Sequence, residues 1–211
     1  MSEILDDIRI GFSIGTPSRS LTHLPGLAPK LTLDGTGGTY ELRDKQRNIR
    51  AMFKPIDEEA FAPNNPRGHV GSFGAESFRK GVLSGEGVIR EVAAFIIDSK
   101  DHFSSVPYTI FVEAMHSCFR GTNQVNLGLD TSSSQYKSEI SRLITPSGGD
   151  ESGVSVAGVK YGSLQYFLKA DDVAGNYSPT LFTKDQVHKI AILDLRILNL
   201  DRNDANILIK K

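Results

Sequence analysis

An α+β fold is what this sequence predicts, and three observations predict it. Apolar and polar residues alternate on both sides of a glycine turn in 31-LTLDGTGGTYELRD-44, the pattern of a strand pair. Segments 88–100 and 183–198 repeat apolar residues at helical spacing. Around them lie the strand-like runs 49–55 and 106–115, and order returns at 154–170 after a polar stretch. At 211 residues the chain suits one ordinary domain, or two lobes that share a cleft.

Taken in order, residues 1–30 read as an extended lead-in, because SIGTPSRSLTHLPGLAPK (13–30) is rich in Ser, Thr, Pro and Gly. In the first strand pair Leu31 and Leu33 alternate with Thr32, and Tyr40 and Leu42 with Glu41. A further strand, IRAMFKP (49–55), ends at Pro55, and 57–74 is a loop by composition. In 88-VIREVAAFIIDSK-100 the residues Val92, Phe95, Ile96 and Ser99 share one side, which predicts a helix with Glu91 in its first turn. From Ser117 to Gly153 the text is polar and Gly/Ser-rich, which predicts a flexible insertion. Thr183 with Gln186 three residues on fits a capping box, so a helix is predicted over 184–198 with Val187, Ile190, Ala191 and Asp194 on one face.

Composition excludes several function classes. Hydrophobic residues at 39% are enough for a core, and charged residues at 23% do not reach the composition of a disordered chain. A net charge of -1 and the lack of a basic, aromatic-laced run argue against a nucleic-acid surface. The lone Cys118 cannot form an intrachain disulfide or a Cys-rich zinc site, and the five histidines are scattered. Glu3, Asp6 and Asp7 interrupt the apolar run a signal peptide needs, and no segment nears the roughly 20 apolar residues of a membrane span. A cytoplasmic protein is expected.

The candidate chemistry lies in four places. Gly35, Gly37 and Gly38 sit between strands, so neither a dinucleotide fingerprint nor a Walker loop fits. They suit a plain hairpin turn, or a hairpin whose bare backbone approaches phosphates. Lys54 lies in a strand among Ala51, Met52 and Phe53, where an ammonium is costly unless it is paired or reaches water. Glu91 on the next helix is its natural partner, although a carboxylate near a helix N-terminus is also favoured by the dipole alone. At the far end, 194-DLRILNLDRNDANILI-209 sets Asp201 and Asn206 five residues apart between apolar runs. Asp and Asn are ordinary turn formers. In the order glycine hairpin, strand lysine, helix glutamate, Asp-x-x-x-x-Asn, they match the layout of phosphoryl transfer. Asp201 would then orient a hydroxyl and take its proton, Asn206 would ligate metal, and Arg202 would hold the loop or neutralise phosphate charge.

The chain resembles the phosphatidylinositol 3- and 4-kinase superfamily, and within it the type II phosphatidylinositol 4-kinases of the plant gamma branch. The resemblance rests on GTGGTYEL (35–42), MFKPIDEEAFAPNNPRG (52–68), REVAAFIID (90–98), VPYT (106–109), GSLQYF (162–167) and ILDLRILNLDRNDANILI (192–209). It runs in order from about Leu31 to Lys211, apart from the insertion. It implies a protein-kinase-like bilobal fold. An antiparallel-sheet N-lobe with a helix and hinge would span 31–168, and the start of a helical C-lobe would span 169–211. It implies ATP and magnesium as cofactors, with the hairpin Gly35, Thr36, Gly37, Gly38 over the phosphates, Lys54 and Glu91 paired beneath, and adenine at the hinge Gln165, Tyr166, Phe167, Leu168. Asp201, Arg202 and Asn206 fall on the catalytic loop.

The implied activity is transfer of the ATP γ-phosphate to phosphatidylinositol at a membrane surface, at the 4-position by resemblance. A Ser/Thr protein kinase and a non-catalytic nucleotide-binding or scaffold module are the alternatives. Departures from the pattern are Asn203 where the gamma branch usually has His, the long 117–153 insertion, and APNNPRG where animal relatives carry a palmitoylated cysteine motif. Family members also continue to an Ile-Asp-x-Gly motif that supplies a second metal contact. The sequence given ends at Lys211, and the expectation is that these 211 residues alone do not catalyse, while Val187, Ile190 and Ala191 stay exposed.

Overall fold

The computed structural model describes residues 13–15, 27–99, 104–116, 118–119 and 159–210. Most of the predicted lead-in and nearly all of the predicted 117–153 insertion lie outside the described residues. The elements run β1 (Ser13–Gly15), β2 (Lys30–Leu31), β3 (Tyr40–Arg43), β4 (Ile49–Pro55), α1 (Gly87–Ser99), β5 (Thr109–Met115), β6 (Val159–Tyr166), β7 (Asp172–Val173), α2 (Lys184–Ile197) and β8 (Leu208–Ile209). A short 3-10 turn, Ile56–Glu58, follows β4.

Six strands form one antiparallel sheet in the order β1-β5-β6-β4-β3-β2, and β7 pairs with β8 separately. The architecture is the α+β arrangement the sequence predicts: an antiparallel sheet with a helix, then a second helix leading into the 198–207 loop. Alternation in the strands divides the sheet into two faces. Tyr40, Leu42, Ala51, Phe53, Val112, Ala114 and Leu164 form one core with Phe119. On the other face Phe111 and Tyr161 pack with Ile56, and with Val88 and Ile89 of α1.

The sequence-based details hold unevenly. β2 is only two residues long, and Leu33, expected to continue its alternation, is 87% exposed in the turn. α1 presents a different face from the predicted one: Ile96 is 61% exposed, while Val88 and Asp98 are buried. Asp98 is drawn inward because its carboxylate accepts the backbone N–H groups of Ser104 (2.6 Å) and Val106 (2.9 Å), where the chain turns toward β5. The capping box of Thr183 and Gln186 is formed, with both reciprocal bonds present. On α2 it is Leu193 that is buried, while Val187 and Ala191 are exposed and Ile190 is half-buried. Among the described residues no helix is long and apolar enough to cross a membrane.

Candidate functional site: a basic cleft between the sheet and the 198–207 loop

Strand register builds the first half of the site. In β4 Ala51 and Phe53 enter the core, so Lys54 points to the other face, beneath α1. Ser163 of β6 lies directly opposite Lys54, and opposite residues of an antiparallel pair share a face. Glu91 descends from α1 onto both. Its Oε1 is ion-paired with Lys54 Nζ, and its Oε2 accepts a hydrogen bond from Ser163 Oγ at 2.8 Å. Both side chains of the ion pair remain about one third exposed, on the cleft side. Glu91 is not in the first turn of its helix, as the sequence had suggested. α1 begins at Gly87, which places Glu91 one turn further in.

The second half is a loop braced by its preceding helix. α2 stops at Leu198, whose φ of 49 is left-handed, and Asn199 then donates from Nδ2 to Asp194 Oδ1 at 2.8 Å. Arg202 grips the same carboxylate as a fork, Nε to Oδ2 and Nη2 to Oδ1, each at 2.8 Å. Those hydrogen bonds from Arg202 hold the Asp194 carboxyl below its ordinary range and push the guanidinium up in turn. Asn206 Nδ2 donates to the backbone carbonyl of Asp201 at 2.8 Å and closes the loop. Arg202 thus ties the loop to α2. The Asp201 carboxylate is ion-paired with Arg79, from the segment before α1.

Behind the Lys54 strand lies a buried charged turn. Lys160 of β6 is 2% exposed and ion-paired with Asp57, and its Nζ stands 3.2 Å from Glu58 Oε1. Glu58 is fully buried and accepts a bond from the Tyr40 hydroxyl at 2.8 Å. Desolvation pushes its carboxyl above the ordinary range, although Lys160 and Tyr40 pull it down. The glycine hairpin packs on this turn. Gly38 N–H donates to the Glu58 carbonyl at 2.9 Å, and Asn65 Nδ2 donates to the carbonyls of Thr36 (2.8 Å) and Glu59 (2.9 Å). A Cβ on Gly38 would stand 2.1 Å from Glu58 Oε2. Close packing against a buried carboxylate therefore accounts for this glycine.

Lys54, Glu91, Gln165, Tyr166, Phe167, Leu168, Asp201, Arg202 and Asn206 all line one cleft of about 1700 Å³. Gly35, Thr36, Gly37 and Gly38 do not. Seven arginines and lysines line it against two carboxylates, Glu91 and Asp201. Residues 165–167 are tied to the sheet: Tyr166 N–H donates to the Tyr108 carbonyl (2.8 Å), Phe167 N–H to that of Arg50 (3.0 Å), and Gln165 Nε2 to Thr109 Oγ1 (3.0 Å). Sequence reasoning missed Ser163, Arg79 and Glu59. A serine in an apolar strand was the signal for the first. Glu59 lies in the 57–74 loop and Arg79 just after it, and nothing local marks either as reaching α1 or Asp201.

Comparison with known proteins shows the family. The family model described as "Phosphatidylinositol 3- and 4-kinase" matches residues 35–211. Phosphatidylinositol 4-kinase gamma 6 of Arabidopsis thaliana is 38% identical over 187 residues, covering 88% of this chain and 27% of the relative. Phosphatidylinositol 4-kinase gamma 5 of the same plant is 37% identical over 187 residues, with 88% and 26% covered. Phosphatidylinositol 4-kinase gamma 4 of Oryza sativa subsp. japonica is 34% identical over 195 residues, with 87% and 28% covered. The chain spans about a quarter of the length of these curated relatives. On the matched span and the kinase-like arrangement of sheet, helix and loop, the chain belongs to the phosphatidylinositol 3- and 4-kinase family.

Proposed function

We propose that this chain carries the nucleotide-binding cleft and catalytic loop of an ATP-dependent phosphotransferase that acts on phosphatidylinositol at a membrane surface. The 4-position follows the names of the relatives, phosphatidylinositol 4-kinases. One observation carries the reading: the Lys54–Glu91 pair and the Asp201 loop face one cleft whose lining is seven basic residues to two acidic. Such a lining attracts a polyanion and retains it in a partly desolvated site.

In this reading the triphosphate meets Lys54, which Glu91 and Ser163 hold in place from behind. Adenine lies along the hinge, where the backbone N–H of Leu168 has no partner among the described residues. Asp201 orients the acceptor hydroxyl and takes its proton as the γ-phosphoryl group moves to the hydroxyl oxygen and ADP leaves. The glycine hairpin acts at one remove, by fixing the 56–59 turn.

A magnesium ion fits the chemistry of the donor set. Asn206 spends its amide nitrogen on the Asp201 carbonyl, which leaves Oδ1 as a neutral oxygen ligand. When bound, the ion would neutralise charge developing on the phosphates.

The test is calorimetric titration of ATP into this chain and into Lys54→Met. A tenfold or larger loss of affinity in the variant is expected. Equal affinity would overturn the phosphate role of Lys54. In a chain of the relatives' length, labelled ATP offered with phosphatidylinositol vesicles and with a protein substrate separates lipid from protein acceptors.

A further inference from the structure

Asp57, Glu58 and Glu59 are consecutive, and the first two serve the sheet. Glu59 turns to the helix instead. Its Oε2 accepts the backbone N–H groups of Gly85 at 2.8 Å and Gly87 at 3.1 Å, and its Oε1 accepts that of Val88 at 2.7 Å. Gly87 and Val88 are the first two residues of α1, so their N–H groups have no acceptor within the helix. Helices ordinarily take such an acceptor from the residue just before them. Here it comes from a residue 28 positions upstream, just past the 3-10 turn that follows the strand carrying Lys54. Gly87 has no Cβ, and one placed there would sit 3.2 Å from the carboxylate atoms, so the glycine lets the carboxylate close on the helix end.

This contact joins two elements that must also meet one turn later. Lys54 lies at the end of β4, five residues before Glu59, and Glu91 lies three residues after Val88. A rigid helix anchored at its first turn has its second turn placed as well. We propose that Glu59 is a positioning residue: by capping α1 from the β4 side it sets the reach at which Glu91 meets Lys54. It touches neither nucleotide nor acceptor. The inference deepens the proposed function, on which its ATP readout rests; its lysine readout stands apart from that reading.

In Glu59→Gln the side chain keeps its size but presents an NH2 group to backbone N–H groups, so the three-way acceptance fails. The first measurement is the side-chain ammonium resonance of Lys54 in 15N-lysine-labelled chain. In Glu59→Gln it should move from its wild-type position toward that of Glu91→Gln. The second is ATP affinity, which should fall roughly tenfold, about 1.4 kcal/mol. The double variant Glu59→Gln/Glu91→Gln should lose no more than Glu91→Gln alone, because the two residues act through one interaction.

An unmoved Lys54 resonance, or losses that simply add, would overturn the proposal. Should Glu59→Gln fail to fold, Gly87→Ala pushes on the same carboxylate at a position where alanine suits a helix. That variant must then shift the Lys54 resonance, and a wild-type spectrum would overturn the idea. If the wild-type chain binds no ATP, the proposed function fails while the Lys54 resonance still decides the role of Glu59.

Discussion

Arg79 and Asp201 are ion-paired across the cleft, 122 residues apart in sequence. Their side chains are 49% and 46% exposed, so the pair is bathed in water and contributes at most about 1 kcal/mol to stability. A triphosphate entering the cleft competes for the same guanidinium. Arg79→Ala should therefore leave thermal stability near wild type, yet weaken ATP binding a few-fold at low ionic strength. The deficit should shrink in high salt, where the lost charge is already screened. Titrations at two salt concentrations check this, and a salt-independent deficit would mean that Arg79 acts by shape.

Two glycines of one hairpin should respond differently to the same substitution. Gly38→Ala drives a methyl group to 2.1 Å from a buried carboxylate oxygen that Tyr40 holds, and should cost about 3 kcal/mol. At Gly35 an added Cβ meets nothing, but φ is +98, so Gly35→Ala should cost only about 1 kcal/mol of backbone strain. Urea melts of the two variants decide the order. A Gly35→Ala loss equal to that of Gly38→Ala would mean that conformation, not packing, sets both.

Lys160→Met keeps the volume of the side chain and removes its charge. Asp57 and Glu58 would then be buried together without a cation, at a cost of about 3–5 kcal/mol. Acidification protonates the stranded Glu58, whose carboxyl burial already pushes up, so the gap to wild type should narrow as pH falls. A gap that is flat from neutral to acidic pH would count against the carboxylates as its source.

Glu59 supplies a pH dependence of its own. Desolvation pushes its carboxyl from 4.5 up to about 7, against the pull of hydrogen bonds from Val88, Gly85 and Gly87. The nearby charge of Glu91 also raises it. Between those two values the folded chain keeps a proton that the unfolded chain has released, so stability falls as pH rises through the window. The contribution is fully present below pH 4.5 and is lost above about 7. Glu59→Gln cannot titrate and should show a flatter profile, the difference across the window being about 1–3 kcal/mol. Parallel slopes for the two chains would place the titration elsewhere.

What the sequence revealed, it revealed through order and spacing. Lys54 and Glu91 were recognisable because a lysine inside an apolar strand needs a partner, and the next helix carries a carboxylate. The capping box of α2 was legible because its geometry is local to four residues. Ser163 was not, since its place opposite Lys54 depends on a register between strands more than a hundred residues apart. The face of α1 was misjudged because periodicity counts apolar residues, whereas Asp98 goes inward to satisfy two backbone N–H groups. Gly38 suited a phosphate-approaching hairpin, and only the position of Glu58 shows what fills the space beside it.

The 3-10 turn after β4 bears on the lengths of chain the fold can accept. Successive residues of such a turn point about 120° apart, and the chain leaves it extended at Glu59. Asp57 and Glu58 thereby approach Lys160 by different routes, Glu58 also meeting Tyr40, while Glu59, just past the turn, reaches the start of α1. Adding or removing one residue between Pro55 and Glu59 would rotate all three assignments together and leave each acid facing the wrong element. The region between β4 and α1 reads as loop, the usual home of insertions and deletions. At these few positions it should tolerate neither, even where it accepts changes of side chain nearby.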